Sequence, residues 1–237
     1  FLAIPFGRSN ADFQSCGEVD VLDVIAEMKR LYPIDDDRVY LYGYSMGGMA
    51  VYHLAAHYPD LFAAAVVMAG RADSPLQNHR PLTDFHPYKQ GLIHIDNPIS
   101  LCENLLNVPL RIFHGKDDFI INPQEAVRME KRLKELGCNA ELSMKPGDHF
   151  FGMDVMSDES VLKWLLAQKR QAQPEKFRMK AYNLKYARQN GVDVTAISGG
   201  IDPIEMEWSS KGGKIEIARQ SPQILQRRIG RWKKRGT

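Results

Sequence analysis

No apolar run in this chain approaches the roughly 20 consecutive residues that a bilayer-spanning helix needs, so the sequence as given holds no transmembrane helix. Cysteine is scarce and odd in number. Cys16, Cys102 and Cys138 stand far apart, match neither a metal-ligand spacing nor a disulfide framework, and read as reduced or buried thiols. An excess of charge of one sign is missing as well. Lys and Arg total 31 against 29 for Asp and Glu, a net charge of +2, which by itself calls for neither a nucleic acid nor a membrane surface as partner. No internal repeat occurs. What is present, 237 residues of which 44% are hydrophobic and 25% charged, fits one ordinary globular domain with a small appendage.

The chain opens on Phe, and Phe1-Leu2-Ala3-Ile4-Pro5 already reads as buried strand. A domain seldom starts on core sequence, so the expectation is a fragment lacking N-terminal strands. Any signal peptide would lie in that part, and the compartment is therefore not legible.

Periodicity predicts an alternation of strands and helices. Residues 1–6 read as a strand and 7–17 as a polar loop. Val19, Leu22, Ile25, Ala26 and Leu31 recur at helical spacing over 18–32, and Pro33 stops the run. A strand is predicted over 38–43, a helix from Ser45 to about Tyr58, and a buried parallel strand over 62–69. Residues 71–104 read as loops and short helices over the carboxyl ends of the strands. A strand follows at 108–114, a helix at 123–136 closed by Gly137, a short strand at 140–144 and a last helix at 155–169. This order predicts an α/β fold with a mostly parallel sheet and helices on both faces. Ligands of such sheets sit beyond the carboxyl ends of the strands.

After a polar stretch the pattern changes to short strand-like runs at 177–186, 192–197, 204–208 and 215–217, with Ser198-Gly199-Gly200 and Lys211-Gly212-Gly213 between some of them. The organisation expected is an α/β domain over 1–169, a linker at 170–175, a small β appendage at 176–226 and a basic tail at 227–237. The tail, rich in Arg and Lys, reads as a solvated terminus rather than a nucleic-acid site.

Gly43-Tyr44-Ser45-Met46-Gly47 is a G-x-S-x-G motif between a strand-like run and a helical run. A strand turning sharply into a helix strains the turn residue and presents its hydroxyl. Gly43 and Gly47 are expected to relieve the crowding there. A serine hydroxyl needs a base to take its proton, commonly a His oriented by a carboxylate. His114-Gly115-Lys116-Asp117-Asp118 and Gly147-Asp148-His149-Phe150 follow successive strands, so an acid and a His lie downstream of the Ser in the order this architecture uses. Other polar clusters are weaker. His79, His86, and His94 with Asp96 fit no common metal spacing. His53 and His57 are four apart without the Glu of H-E-x-x-H and read as surface or packing residues. Arg71, Asp73, Phe85 and Tyr88 fall in the segment best placed to line a substrate pocket, and Trp208 is the one residue of the appendage that hints at carbohydrate binding.

Gly43 to Gly48, the strand and H-G-x-x-D loop at 110–118, and the loop at 147–150 resemble the α/β-hydrolase superfamily, with the prolyl oligopeptidase family and its esterase-like relatives nearest. Tyr32-Pro33-Ile34-Asp35 and Glu103-Asn104-Leu105 support the likeness, which covers about residues 1–167. The resemblance implies Ser45 as nucleophile, His149 as general base and Asp118 as triad acid, with Asp117 the alternative. It gives His114 a structural place in its loop and the backbone N–H of Met46 the part of an oxyanion donor. The family's second oxyanion donor comes from a loop after an early strand, often His-Gly-Gly, and no such segment occurs in the sequence. The implied activity is hydrolysis of a small ester, with a peptide as the alternative substrate and a non-catalytic binding module as the rival reading. No cofactor or metal is implied, and neither oligomeric state nor compartment.

Overall fold

The computed structural model describes residues 1–9, 11–195, 202–209, 215–219 and 228–229, the last two stretches as backbone only. Four strands make the main sheet: β1 (Tyr40–Tyr44), β2 (Ala64–Met68), β3 (Leu110–Gly115) and β4 (Ala140–Lys145). They lie in the order β1-β2-β3-β4, every pair parallel. Helices α1 (Cys16–Leu31), α2 (Met46–His57), α3 (Ser74–Gln77), α4 (Pro87–Asp96), α5 (Gln124–Glu135), α6 (Gly152–Met156) and α7 (Glu159–Ala167) connect and flank them.

Strand alternation sorts the core into two layers. Ala65, Val67, Leu110 and Ile112 face a layer with Val21 of α1, Leu54 of α2 and Met129 and Leu133 of α5. Ala64, Val66, Met68 and Phe113 face the other side, against Phe151, Val155, Val161 and Leu165. β2 is therefore buried along its whole length, which is why its sequence is an unbroken apolar run rather than an alternating one. Each large side chain so enclosed contributes roughly 1.5–3 kcal/mol relative to exposure. Helix ends follow local chemistry. Pro33 lies just past α1. α5 ends with Gly137 at a φ of +74°, where the amides of Gly137 and Cys138 return to the carbonyls of Lys134 and Leu133. Among the described residues no helix is long and apolar enough to cross a membrane.

Four expectations need correction, three of them in the main body. Residues 1–6 form no strand, and Phe1, Leu2, Ile4 and Phe6 are exposed. A strand exists through the neighbour that pairs with it, and this run pairs with none of the described strands. The helix expected over 155–169 is two helices. Asp158 accepts a hydrogen bond from the Ser160 amide and starts α7 afresh, an N-cap signal already present in the sequence. At the elbow, Gly47 has open space where a Cβ would go, whereas a Cβ on Gly48 would lie 2.7 Å from the Met68 carbonyl oxygen. The crowded glycines are thus Gly43 and Gly48.

β5 (Lys176–Ala181), β8 (Ile204–Ser209) and β9 (Ile215–Arg219) form an antiparallel sheet. Short strands β6 (Arg188–Gln189), β7 (Val192–Asp193) and β10 (Arg228–Ile229) form another. The strand run expected over 177–186 breaks after Ala181 into a 3-10 turn at Leu184–Tyr186. The runs Ser198-Gly199-Gly200 and Lys211-Gly212-Gly213, the end of the 192–197 run, and the tail apart from Arg228 and Ile229 lie outside the described residues.

This C-terminal part packs on the main body through polar contacts. Asn104 donates to the carbonyls of Ala56 and Lys180 and accepts from the Lys180 amide. Arg178 donates to the Leu136 carbonyl. Glu18 of α1, fully buried, accepts from Tyr58, from Lys185 and Tyr186 of the C-terminal part, and lies against His53. Burial raises the Glu18 carboxyl, but these hydrogen bonds outweigh it and hold the group well below the usual carboxylate range.

Candidate active site

Ser45 stands between β1 and α2 at φ 55°, ψ −115°, a backbone region that costs a non-glycine residue of the order of 1–3 kcal/mol. Its amide donates to the Met68 carbonyl at 2.9 Å, which ties the elbow to the end of β2. A Cβ on Gly43 would sit 2.2 Å from the Gly47 carbonyl oxygen, so strand and helix approach this closely only with glycine there. α2 begins at Met46, and the N–H groups of a helix's first turn have no intrahelical partner. Those free donors and the positive end of the helix dipole lie beside the Ser45 hydroxyl.

His149 follows β4 and Asp118 follows β3. The structure brings both to Ser45. His149 Nε2 is 2.9 Å from Ser45 Oγ, and His149 Nδ1 is 2.8 Å from Asp118 Oδ2. An ionised carboxylate only accepts hydrogen bonds, so Nδ1 carries the hydrogen and, in the neutral ring, Nε2 is left to accept from the serine hydroxyl. Asp118 is buried, while Asp117 is exposed and engages the neighbouring loop only through its amide, bonded to the Gly147 carbonyl. Asp118 Oδ1 accepts from the amides of Ile120 and Ile121, which fixes the carboxylate plane.

The loops that carry the acid and the imidazole are laced together. Lys116 donates to the Lys145 carbonyl and Asp117 to that of Gly147. A Cβ on Gly115 would fall 2.2 Å from the Asp148 carbonyl oxygen, so glycine lets the two loops touch. Tyr44, which sequence reasoning passed over, supports His149 from the other side. Its hydroxyl donates to the His149 carbonyl at 2.6 Å, and its ring lies 5.3 Å from the imidazole. No sequence signal marks this contact, because 105 residues separate the two.

The remaining candidates do not converge on a second site. Arg71 pairs with Asp12, and Asp73 is buried against Asn97 and Arg128. Phe85 lies under the Arg80 guanidinium, and Tyr88 is exposed. His94 bonds Ser100 and stacks on Tyr182, while His86 stays near Tyr88. Among the described residues, Glu18, His53 and His57 have donor atoms close enough to share a metal ion. Most of their donor atoms are already engaged: His53 Nε2 meets Glu18, while His53 Nδ1 is buried without a hydrogen-bond partner. Glu18 takes the bonds described above, and the His57 nitrogens face the carbonyls of His53 and Ile95. Burial, then the charge of His53, pushes His57 down to about 3. His53 and His57 are thus packing residues inside the junction with the C-terminal strands.

Residues 15–170 match the model of the prolyl oligopeptidase family. The chain belongs to that family. Membership places it among the serine hydrolases of α/β-hydrolase fold. It is 30% identical over 162 residues to feruloyl esterase B of Thermothelomyces thermophilus, a match covering 55% of this chain and 56% of that one. It is 37% identical over 82 residues to the bifunctional acetylxylan esterase/xylanase XynS20E of Neocallimastix patriciarum, covering 34% of this chain and 12% of the relative. The crystal structure of a thermostable esterase superimposes with a TM-score of 0.51 at 22% identity, over 66% of this chain and 38% of the other, a likeness of fold. The chain therefore spans little more than half of the fungal feruloyl esterase and a smaller share of the bifunctional relative.

Proposed function

We propose that the chain hydrolyses a carboxylic ester through a Ser-His-Asp acyl-enzyme mechanism. The observation that carries the reading is the continuous hydrogen-bonded line from Ser45 Oγ through His149 to Asp118. Ser45 attacks the ester carbonyl while His149 Nε2 takes its proton. The Met46 N–H donates to the oxyanion that develops. His149 then returns the proton to the leaving alcohol, and Asp118 steadies the imidazolium without taking a proton itself. Water repeats the sequence on the acyl-enzyme and releases the acid. The esterase names among the relatives favour an ester, and the family description keeps a peptide as the second reading. The same reading assigns residues 1–169 to the catalytic domain, 170–175 to a linker and 176–226 to an appendage that buttresses it, followed by the basic tail.

Labelling by a fluorophosphonate probe tests the mechanism. Labelling should occur on the folded chain and vanish in Ser45→Ala. His149→Ala and Asp118→Asn should slow it by about a thousandfold or more, and Asp117→Asn should leave it within about twofold of the parent, as for a solvent-facing side chain. Equal labelling of Ser45→Ala and the parent, or none in a demonstrably folded parent, rejects the reading.

A further inference from the structure

His114 is the penultimate residue of β3, with its side chain fully enclosed. Its Nε2 lies 3.0 Å from the Ile121 carbonyl oxygen and 3.2 Å from Asp118 Oδ2. Both neighbours are acceptors, so the ring hydrogen is on Nε2, shared between them. Nδ1 is buried with no partner. Burial, ahead of every other influence, pushes His114 below its ordinary range, consistent with a neutral ring in that tautomer. The same oxygen, Asp118 Oδ2, takes the Nδ1–H of His149 at 2.8 Å. Asp118 thus receives two backbone N–H groups on one oxygen and two imidazole N–H groups on the other.

We infer that His114 is a positioning residue of the triad, the second N–H donor on the carboxylate oxygen that holds His149, and that this sharing tempers the pull of Asp118 on the His149 imidazole. An oxygen that already accepts one hydrogen bond gives less electron density to another. His149 stays oriented, yet its protonated form is stabilised less than by an unshared carboxylate. Such moderation suits a base that must take a proton from serine and then part with it, since the most effective catalytic base has a pKa near the working pH. The other polar groups at the pair are Ser45 at the elbow and Tyr44 on β1; the charge of Asp148 on the His149 loop reaches Tyr44, and its carboxylate accepts from the Phe150 amide. The Phe151 ring stacks on His114 at 6.4 Å between centroids and adds no charge. The catalytic consequence rests on the triad reading above.

The test reads the His149 imidazole itself and needs no turnover. The full chain, with 7 histidines to assign, is titrated by NMR in the parent and in His114→Gln, His114→Asn and His114→Leu. A glutamine amide reaches the place of Nε2 and keeps the donor. Asparagine is too short, and leucine has no donor. Asn and Leu should raise the His149 pKa by about half a pH unit, a fraction of one hydrogen bond's worth, while Gln stays with the parent. If Leu does not fold, the Gln and Asn pair carries the comparison. The inference is overturned if the variants titrate with the parent, or if Gln moves as far as Asn, since the shift would then come from losing the ring. Fluorophosphonate labelling of the same parent sample reports separately on Ser45, so failure of the hydrolase reading is told apart from failure of this one.

Discussion

Glu125 shows how a single carboxyl can make the protein sensitive to pH. It is fully buried at the start of α5, where one oxygen accepts the amides of Ala72 and Asp73 and the other has no partner. Burial, opposed by those two amides, pushes it up to about 7 from an ordinary value of 4.5. A group whose folded pKa is raised stabilises the fold while protonated and loses that contribution as pH rises through the folded value. Stability owed to Glu125 should therefore decline between about pH 4.5 and 7. The thermal midpoint followed across that interval should slope less in Glu125→Gln, which has no charge to bury. Equal slopes in the two proteins would assign the pH dependence to other groups. The segment so held, residues 72–73, follows β2, whose end also receives the Ser45 amide, so the same titration acts one loop away from Ser45.

Elements bring the site together through close backbone approach, and glycine decides how close. Gly115→Ala would drive a methyl into the Asp148 carbonyl and push the His149 loop away from β3. A displacement of about 1 Å at a catalytic group can cost on the order of a hundredfold. We expect that loss in fluorophosphonate labelling rate, with the circular dichroism spectrum of the parent. An unchanged rate would mean that the loop yields without moving His149.

Much at this scale was legible from the sequence, because strand β1, the elbow and α2 are coded by neighbours: an apolar run, G-x-S-x-G, then helical spacing. The loops that carry Asp118 and His149 were legible for the same reason, each directly after a strand, whereas the choice of Asp118 over Asp117 rested on the family resemblance. Tyr44, the second bond of His114 and the clash at Gly48 were not, because each depends on a partner from a distant part of the chain. The split of the last helix at Asp158 had a local signal. A reading by apolar spacing alone runs straight through it, and the N-cap residue breaks the helix in the structure. Residues 1–6 read as strand from composition alone, and composition does not supply a pairing partner.

At the scale of the whole molecule, the C-terminal strands meet the main body around a buried carboxylate, beside the Asn104 and Arg178 contacts. Glu18 would have passed in the sequence for an ordinary charge on a helix. Only contact with His53, Tyr58, Lys185 and Tyr186 distinguishes it from a solvated one. Removing one partner of a buried charged cluster leaves the others uncompensated and costs roughly 3–5 kcal/mol. Glu18→Gln should lower the thermal midpoint and expose the segment from Lys176 onward to protease before the rest, whereas Tyr186→Phe, which removes a single donor, should have a milder effect. Cleavage of Glu18→Gln at the same rate and in the same order as the parent would show that the junction is held elsewhere.

Ser45 is separated from His149 by 104 residues, and Asp118 from His149 by 31, and they follow β1, β3 and β4 of one parallel sheet, with β2 between the first two. No stretch of the chain that stops short of His149 contains the three residues of the proposed line. On the proposed reading, Ser45 is as inert as any other serine during synthesis until the His149 loop has left the ribosome and the four strands have closed on one another. Acylating power would then arrive in a single event, as a property of the completed topology, and a product that stops before the His149 loop would carry the motif without the chemistry.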